Sequence, residues 1–525
     1  MRFPPAAWLL ALLPHAAAAD EQWAVVFDAG STGTRVHVYS WPPPRAGELA
    51  AVRAVPGGNL KVKPGVSTFD GQPEAAGASV AKLVRLAASL VPAEAQRSAA
   101  VMLKATAGMR LLPKRRAQRL YDALYAAVVE QSGFAPKREQ FGTLSGEDEG
   151  VFGWLAVNFL LSTDKSRKSP PQFGTVGALD LGGGSTQITM PAAAGAPSTL
   201  LVPLPAGRQA SVFTHSHLGY GNNQVLAELT RAEAAACLSR GAVWDASANA
   251  SEGPHPIQGT GSFAACEGGV RRVLAAFNPH GQPAVRGAQP FVAMSLFFYS
   301  VNFATAAGYL PQSDTHSPRA MLHAAASLCK EPHASLFARM KGKDPLTPDD
   351  AIQWRCFHLL YAARLLTDGY GFAEDSASIE FLGDVGGVEV EWTLGAVLHM
   401  LLGPASAAPY AAADRAAALL LAAAVGCCLC VASHRRARGA YQPLALGAAR
   451  RLAAPCCSLA ACRRAAAFTE VGAQLERGEG CAAEAGVADG ELLPAEAAAE
   501  ETSCAAPSGE DTARLGCMGR CRHAS

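Results

Sequence analysis

At 525 residues the chain is too long for one compact core and calls for two or three domains. Its 45 Lys and Arg against 44 Asp and Glu leave a formal charge of +1, and no basic stripe stands out in the body, which excludes a nucleic-acid binder.

Read from the N-terminus, Arg2, an apolar run over 6–13 and a small-residue stretch over 16–19 form a secretory signal pattern covering residues 1–19. The apolar run Trp23-Ala24-Val25-Val26-Phe27 then meets the glycine-rich segment DAGSTGTR (28–35), and the β-branched run Val36-His37-Val38-Tyr39 follows. This reads as a β-hairpin with a glycine turn. Helices are expected over 75–90, 114–131 and 354–366. Between them, ATAGMRLL (105–112) offers small residues, the Thr106 hydroxyl and Arg110. The segment SGEDEGVFGW (145–154) crowds Glu147, Asp148 and Glu149 before an apolar helix, where acidic residues also serve as ordinary helix starters. A Lys, Ser and Pro cluster over 164–172 reads as a surface loop.

The second glycine turn, DLGGGSTQ (180–187), follows Val176-Gly177-Ala178-Leu179 and leads into Ile188-Thr189-Met190, again a hairpin. Glycines admit close approach of backbone N–H groups to an anion, and Ser and Thr hydroxyls add donors. Asp28 and Asp180 cannot hold a phosphate, so their fitting task is a divalent cation bound between phosphate and protein. A matched pair of such turns suggests one domain type used twice with a cleft between the copies. A phosphate hydrolase also needs a carboxylate that orients and deprotonates water, and Glu149 suits that task. Trp392 in Glu391-Trp392-Thr393-Leu394-Gly395 reads equally as a core tryptophan at a helix start.

Alternation of strand-like and helix-like runs from 22 to about 403 gives an α/β class. Of fourteen cysteines, only Cys237, Cys266, Cys329 and Cys356 precede residue 416, an even set that suits disulfides in an oxidising compartment. Asn249-Ala250-Ser251 is a glycosylation sequon. The uncharged stretch 416–432, followed by Arg435, Arg436 and Arg438, is expected to be a transmembrane helix with a cytoplasmic flank. Cys427, Cys428, Cys430, Cys456 and Cys457 near it are palmitoylation candidates. Residues 433–525 turn to Ala, Glu, Arg and Cys and are expected to be a disordered cytoplasmic tail.

In their order, DAGSTGTR, KVKPG (61–65), ATAGMRLL, SGEDEGVFGW, GALDLGGGSTQIT, TDGYGF (367–372) and WTLG (392–395) closely resemble the ecto-nucleoside triphosphate diphosphohydrolases, or apyrases. The resemblance implies two ribonuclease-H-like lobes of the actin, hexokinase and Hsp70 type, with the active site between them. On that basis lobe I is expected over 20–160, lobe II over 161–380 and a return segment over 381–403. It further implies phosphate binding by Ser31, Thr32, Gly33, Gly182, Gly183, Gly184, Ser185 and Thr186. Asp28 and Asp180 would hold Ca²⁺ or Mg²⁺ through waters, with Thr106, Gln187 and Trp392 in the metal and water shell, and Glu149 would be the catalytic base. The disulfides implied are Cys237 with Cys266 and Cys329 with Cys356. Gly184 departs from the alanine usual in the second loop, which suggests a more flexible turn there.

The expected reaction is hydrolysis of terminal phosphates of nucleoside tri- and diphosphates, in a body outside the cell or in the secretory lumen, tethered by one C-terminal span. The alternatives are an exopolyphosphatase of the same fold, against which Gln187 and the ATAGMRLL and WTLG segments argue, and a non-hydrolysing nucleotide receptor.

Overall fold

The run ending at Phe27 forms strand β1 (Gln22–Ala29), residues 30–33 turn the chain, and β2 (Thr34–Trp41) returns antiparallel with Thr34 opposite Ala29. The computed structural model describes residues 21–44, 48–196, 198–245, 256–285 and 289–403. Strand β3 (Arg53–Val62) adds antiparallel to β2, while β4 (Ala100–Ala105) and β5 (Phe141–Thr143) add in parallel beyond β1, giving the order β3-β2-β1-β4-β5.

The second glycine turn joins β6 (Gly177–Leu181) to β7 (Ser185–Pro191), also antiparallel. After β8 (Thr199–Pro203), β9 (Gln209–Leu218) and a short pair, β10 (Val243–Trp244) with β11 (Ile257–Gln258), come β12 (Phe291–Ser295) and β13 (Ile379–Phe381). The sheet order is β13-β12-β6-β7-β9-β8, with β12 and β13 parallel to β6. Both sheets therefore repeat one plan: antiparallel strands on one side of the first strand, parallel strands on the other. The two glycine turns sit at the carboxyl ends of β1 and β6, where mixed and parallel sheets place their ligands.

Strand alternation decides how the sheets are covered. In β1, Val25, Phe27 and Ala29 enter one cluster with Leu83, Leu120 and Leu124, whereas Ala24 and Val26 enter another with Trp154 and Trp392. Ala178, Val292 and Met294 of the second sheet enter that same central cluster, and Leu179, Leu181, Phe291 and Ala293 face away from it. Two helices, Gly146–Thr163 and Trp392–Leu402, thus lie between the sheets, apolar on nearly every side as a doubly covered helix must be. Gly395 lets them touch: a Cβ there would fall 1.7 Å from the Phe152 carbonyl oxygen. Trp154 is fully buried in this layer, and truncating it to Ala would cost about 3–5 kcal/mol.

The two disulfides are those that the resemblance implies. Cys237 bonds Cys266 (Cα–Cα 4.7 Å) and Cys329 bonds Cys356 (4.9 Å), tying helices Arg231–Cys237 to Phe263–Leu274 and Pro318–Lys330 to Arg355–Arg364. The helix expected over 75–90 is two, Pro73–Ser79 and Ala81–Leu90, meeting at Val80. The one expected over 354–366 starts at Arg355 and widens at its end into a π-type turn, Leu365–Gly369. Residues 1–19, Asn249, 416–432 and 433–525 lie outside the described residues. Among the described residues no helix is long and apolar enough to cross a membrane.

Candidate active site

A cleft of about 290 Å³ opens where the carboxyl ends of β1 and β6 face each other. The first turn lines it with Asp28, Ser31, Thr32 and Gly33, and the second with Asp180, Gly182, Gly183, Gly184 and Ser185. Thr106 enters from the end of β4, Glu149 from the first turn of helix Gly146–Thr163, and Trp392 from the start of helix Trp392–Leu402. The helix bearing Glu149 is capped by Ser145, whose hydroxyl accepts the Asp148 N–H at 3.0 Å, so the acidic first turn satisfies the helix as well as the cleft. Trp392 is both things its sequence allowed, a member of the central core, only 4% exposed, and a wall of the cleft.

The turns come close together. A Cβ on Gly184 would fall 2.7 Å from the Ala107 Cβ, so the glycine in place of the usual alanine provides clearance for Ala107. Asn222 and Asn223 donate their backbone N–H groups to the carbonyls of Gly182 and Gly183, both at 2.9 Å, and Gly219 donates to Gly184 at 3.0 Å. The second turn is therefore pinned from behind, which does not fit the greater flexibility expected of three consecutive glycines.

Glu149 is 8% exposed and its Oε2 accepts from Arg110 Nη2 at 2.6 Å and from Gln187 Nε2 at 3.1 Å. Burial pushes the Glu149 carboxyl upward and the Arg110 guanidinium pulls it back. Arg110 is itself held, donating Nε–H to the Leu144 carbonyl at 2.9 Å. Asp28 and Asp180 each keep one buried carboxylate oxygen, Oδ1, without a partner among the described residues. Burial raises Asp28 to about 8, helped by Glu391, and Asp180 to about 7, helped by Glu149.

Two expected shell and phosphate residues do not themselves line the cleft. Thr186 is fully buried, and its hydroxyl bonds the Asp180 carbonyl and the Tyr370 hydroxyl, both at 2.7 Å. Gln187 reaches Glu149, Ser185 and Ser216 from beneath the cleft. In exchange, the cleft gains groups that sequence reasoning did not single out: Arg35, Lys61, Asn222, Asn223, Ser295, Tyr299 and Glu391. Arg35 lay inside the first motif and Lys61 inside KVKPG, so both had a local signal. The ion pair from Arg35 to Glu391 joins residues far apart in the chain and had none. Ser295 has φ 56°, an unusual value for a non-glycine residue and one that marks the end of β12 at the cleft.

The chain as a whole is similar to known proteins. The description of the GDA1/CD39 (nucleoside phosphatase) family matches residues 15–406. Human ectonucleoside triphosphate diphosphohydrolase 8 is 30% identical over 427 residues, 73% of this chain and 83% of that protein. Mouse ectonucleoside triphosphate diphosphohydrolase 5 is 31% identical over 418 residues, 75% of this chain and 91% of that protein. Among solved structures, one titled for nucleoside triphosphate hydrolases of Neospora caninum shares the fold, with a TM-score of 0.52 at 18% identity, covering 74% of this chain and 93% of that one. The chain belongs to the GDA1/CD39 (nucleoside phosphatase) family, the apyrase family that its motifs resemble, and is an enzyme of nucleotide phosphate hydrolysis.

Proposed function

We propose that the cleft hydrolyses the terminal phosphates of nucleoside tri- and diphosphates, with Glu149 as the general base and the two glycine turns of two ribonuclease-H-like lobes as the phosphate grip. The observation that carries this reading is the meeting of both turns, two unpartnered aspartate oxygens and a separately clamped glutamate in one cleft. Backbone N–H groups of residues 31–33 and 182–185 and the hydroxyls of Ser31, Thr32 and Ser185 orient the phosphates. Lys61 and Arg35 add positive charge on the side of the first turn. With Oε2 fixed by Arg110 and Gln187, Glu149 presents Oε1 to a water, aligns it and takes its proton.

A divalent cation suits this site, because two buried carboxylates with unpartnered oxygens form the oxygen-rich donor set that hard cations such as Ca²⁺ or Mg²⁺ take. Asp28 and Asp180 would hold it, and it would neutralise charge on the phosphoryl oxygens. The two disulfides support a body in an oxidising compartment, outside the cell or in the secretory lumen, and the sequence of 416–432 supports a single span after it. The test is phosphate release from ATP, ADP, AMP and long-chain polyphosphate with Ca²⁺ or Mg²⁺, with and without chelator. Release from the di- or triphosphates that stops with chelator supports the proposal; release from polyphosphate alone, or release indifferent to chelator, overturns it.

A further inference from the structure

The face of β9 turned away from Glu149 carries histidines that hydrolysis leaves unused. His215 and His217 stand two residues apart on one strand and so share a face. Ser216 between them points the other way, where its hydroxyl accepts from Gln187 Nε2 at 3.1 Å. His280 comes over the pair from the loop after helix Phe263–Leu274, its ring centroid 4.2 Å from that of His215 and 5.8 Å from that of His217. One ring nitrogen of each histidine lies within 4.8 Å of the others, and among the described residues this is the one such gathering of three or more His, Cys, Asp or Glu.

A satisfied core histidine is the ordinary reading of a buried imidazole, but it does not fit His217. Its Nε2 is buried with no partner among the described residues, while Phe277 stacks on the ring at 4.1 Å and Tyr370 lies 5.9 Å away. A ring nitrogen taken from water and given nothing in return calls for a ligand. Burial and the neighbouring rings lower His215 and His217, the latter to about 3, so both are uncharged at neutral pH, the form that binds metal.

We propose that His215, His217 and His280 form a second cation site, which takes a zinc-type dication through three imidazole nitrogens. Two histidines at i and i+2 on a strand plus a third from a loop make a nitrogen set that zinc accepts with its fourth position open, whereas Ca²⁺ and Mg²⁺ prefer the oxygens of the cleft. His280 is exposed, which gives the ion an entry path, and its loop can draw in to bring the nitrogens to bonding distance. The site would stiffen β9 one residue from Ser216, and Ser216 seats the Gln187 that holds Glu149.

The experiment is a Co²⁺ titration of the full chain in excess Mg²⁺, followed by Zn²⁺ displacement and read by visible absorption and by metal content. One equivalent is expected, with d–d bands and no thiolate charge-transfer band, displaced by Zn²⁺. His215→Gln and His280→Gln should each weaken it by at least about 10- to 100-fold, the cost of losing even an outer partner. Retained Mg²⁺-dependent phosphate release shows that both variants are folded. Absence of a bound equivalent overturns the proposal. So does an equivalent that persists in both variants or carries the thiolate band, since it then belongs to the cysteines.

Discussion

The two glycine turns share a sequence plan and divide the labour of the cleft unequally. The first has charged neighbours: Lys61 stands 3.5 Å from the Thr32 hydroxyl, and Arg35 pairs with Glu389 and Glu391. The second is held by backbone instead: Asn222 and Asn223 donate their N–H groups to its carbonyls, and the side chains after the glycines turn inward to Tyr370 and Glu149. A repeated motif thus keeps its backbone role while its side chains specialise. On the proposed mechanism, the first turn brings charge to the phosphates and the second couples phosphate position to the base.

The largest expected effect tests that coupling. Glu149→Gln should lower turnover by about 10²- to 10⁴-fold while nucleotide binding, followed by calorimetry, stays near wild type. Full activity in that variant would remove Glu149 from the mechanism. Next, Asp28→Asn and Asp180→Asn should each lose most turnover and weaken the response to added Ca²⁺ or Mg²⁺, as read from metal titrations of phosphate release; if only one does, the aspartates are not a pair.

Arg110→Gln should move the acid limb of the pH–rate profile upward. As the proposed general base Glu149 works deprotonated, burial raises its pKa, and Arg110 is the opposing influence. An acid limb that stays put would separate Arg110 from the titration. The same logic applies to folding. Burial pushes Asp28 up to about 8 and Asp180 up to about 7, above their unfolded values, so at these two positions the metal-free protein binds more protons folded than unfolded and their contribution to stability falls as pH rises from about 4 to 8. Melting curves should show Mg²⁺ raising Tm more at pH 8 than at pH 5.

Smaller effects separate the turns themselves. Gly184→Ala places a methyl 2.7 Å from the Ala107 Cβ and should cost about 1–3 kcal/mol in denaturant unfolding, recovered in part by Ala107→Gly. Thr186→Val should cost about 1 kcal/mol and leave KM near wild type, because its hydroxyl serves Tyr370 rather than substrate. A raised KM there would return Thr186 to the phosphate grip.

Legibility in the sequence followed chain distance. Both hairpins were readable, because a glycine turn between apolar and β-branched runs is a local signal, and the structure closes them with Ala29 opposite Thr34 and Leu181 opposite Thr186. The cleft members carried by the turns and by Glu149 were likewise within reach. The direction of the Thr186 hydroxyl was not readable, because position in a motif does not say which way a side chain points once its strand is buried on both faces. The Arg110 clamp depends on the approach of a short helix, Ala107–Arg110, to a helix start 39 residues on, and Arg35 meets Glu391 across 356 residues. No window of sequence contains such pairs. Gly395 entered only as the end of the WTLG motif, and in the structure it admits the Phe152 backbone.

That last contact bears on how the protein is made. Helix Trp392–Leu402 packs against Gly146–Thr163, and Tyr39 bonds Thr393 at 2.8 Å, so the amino-terminal sheet keeps one face uncovered until almost the last described residues have been synthesised. Folding on the ribosome must therefore wait for a late arrival, and the high contact order of these pairings favours slow closure. A ribosome stalled between residues 165 and 390 should present a nascent chain whose central layer is still open to chaperones.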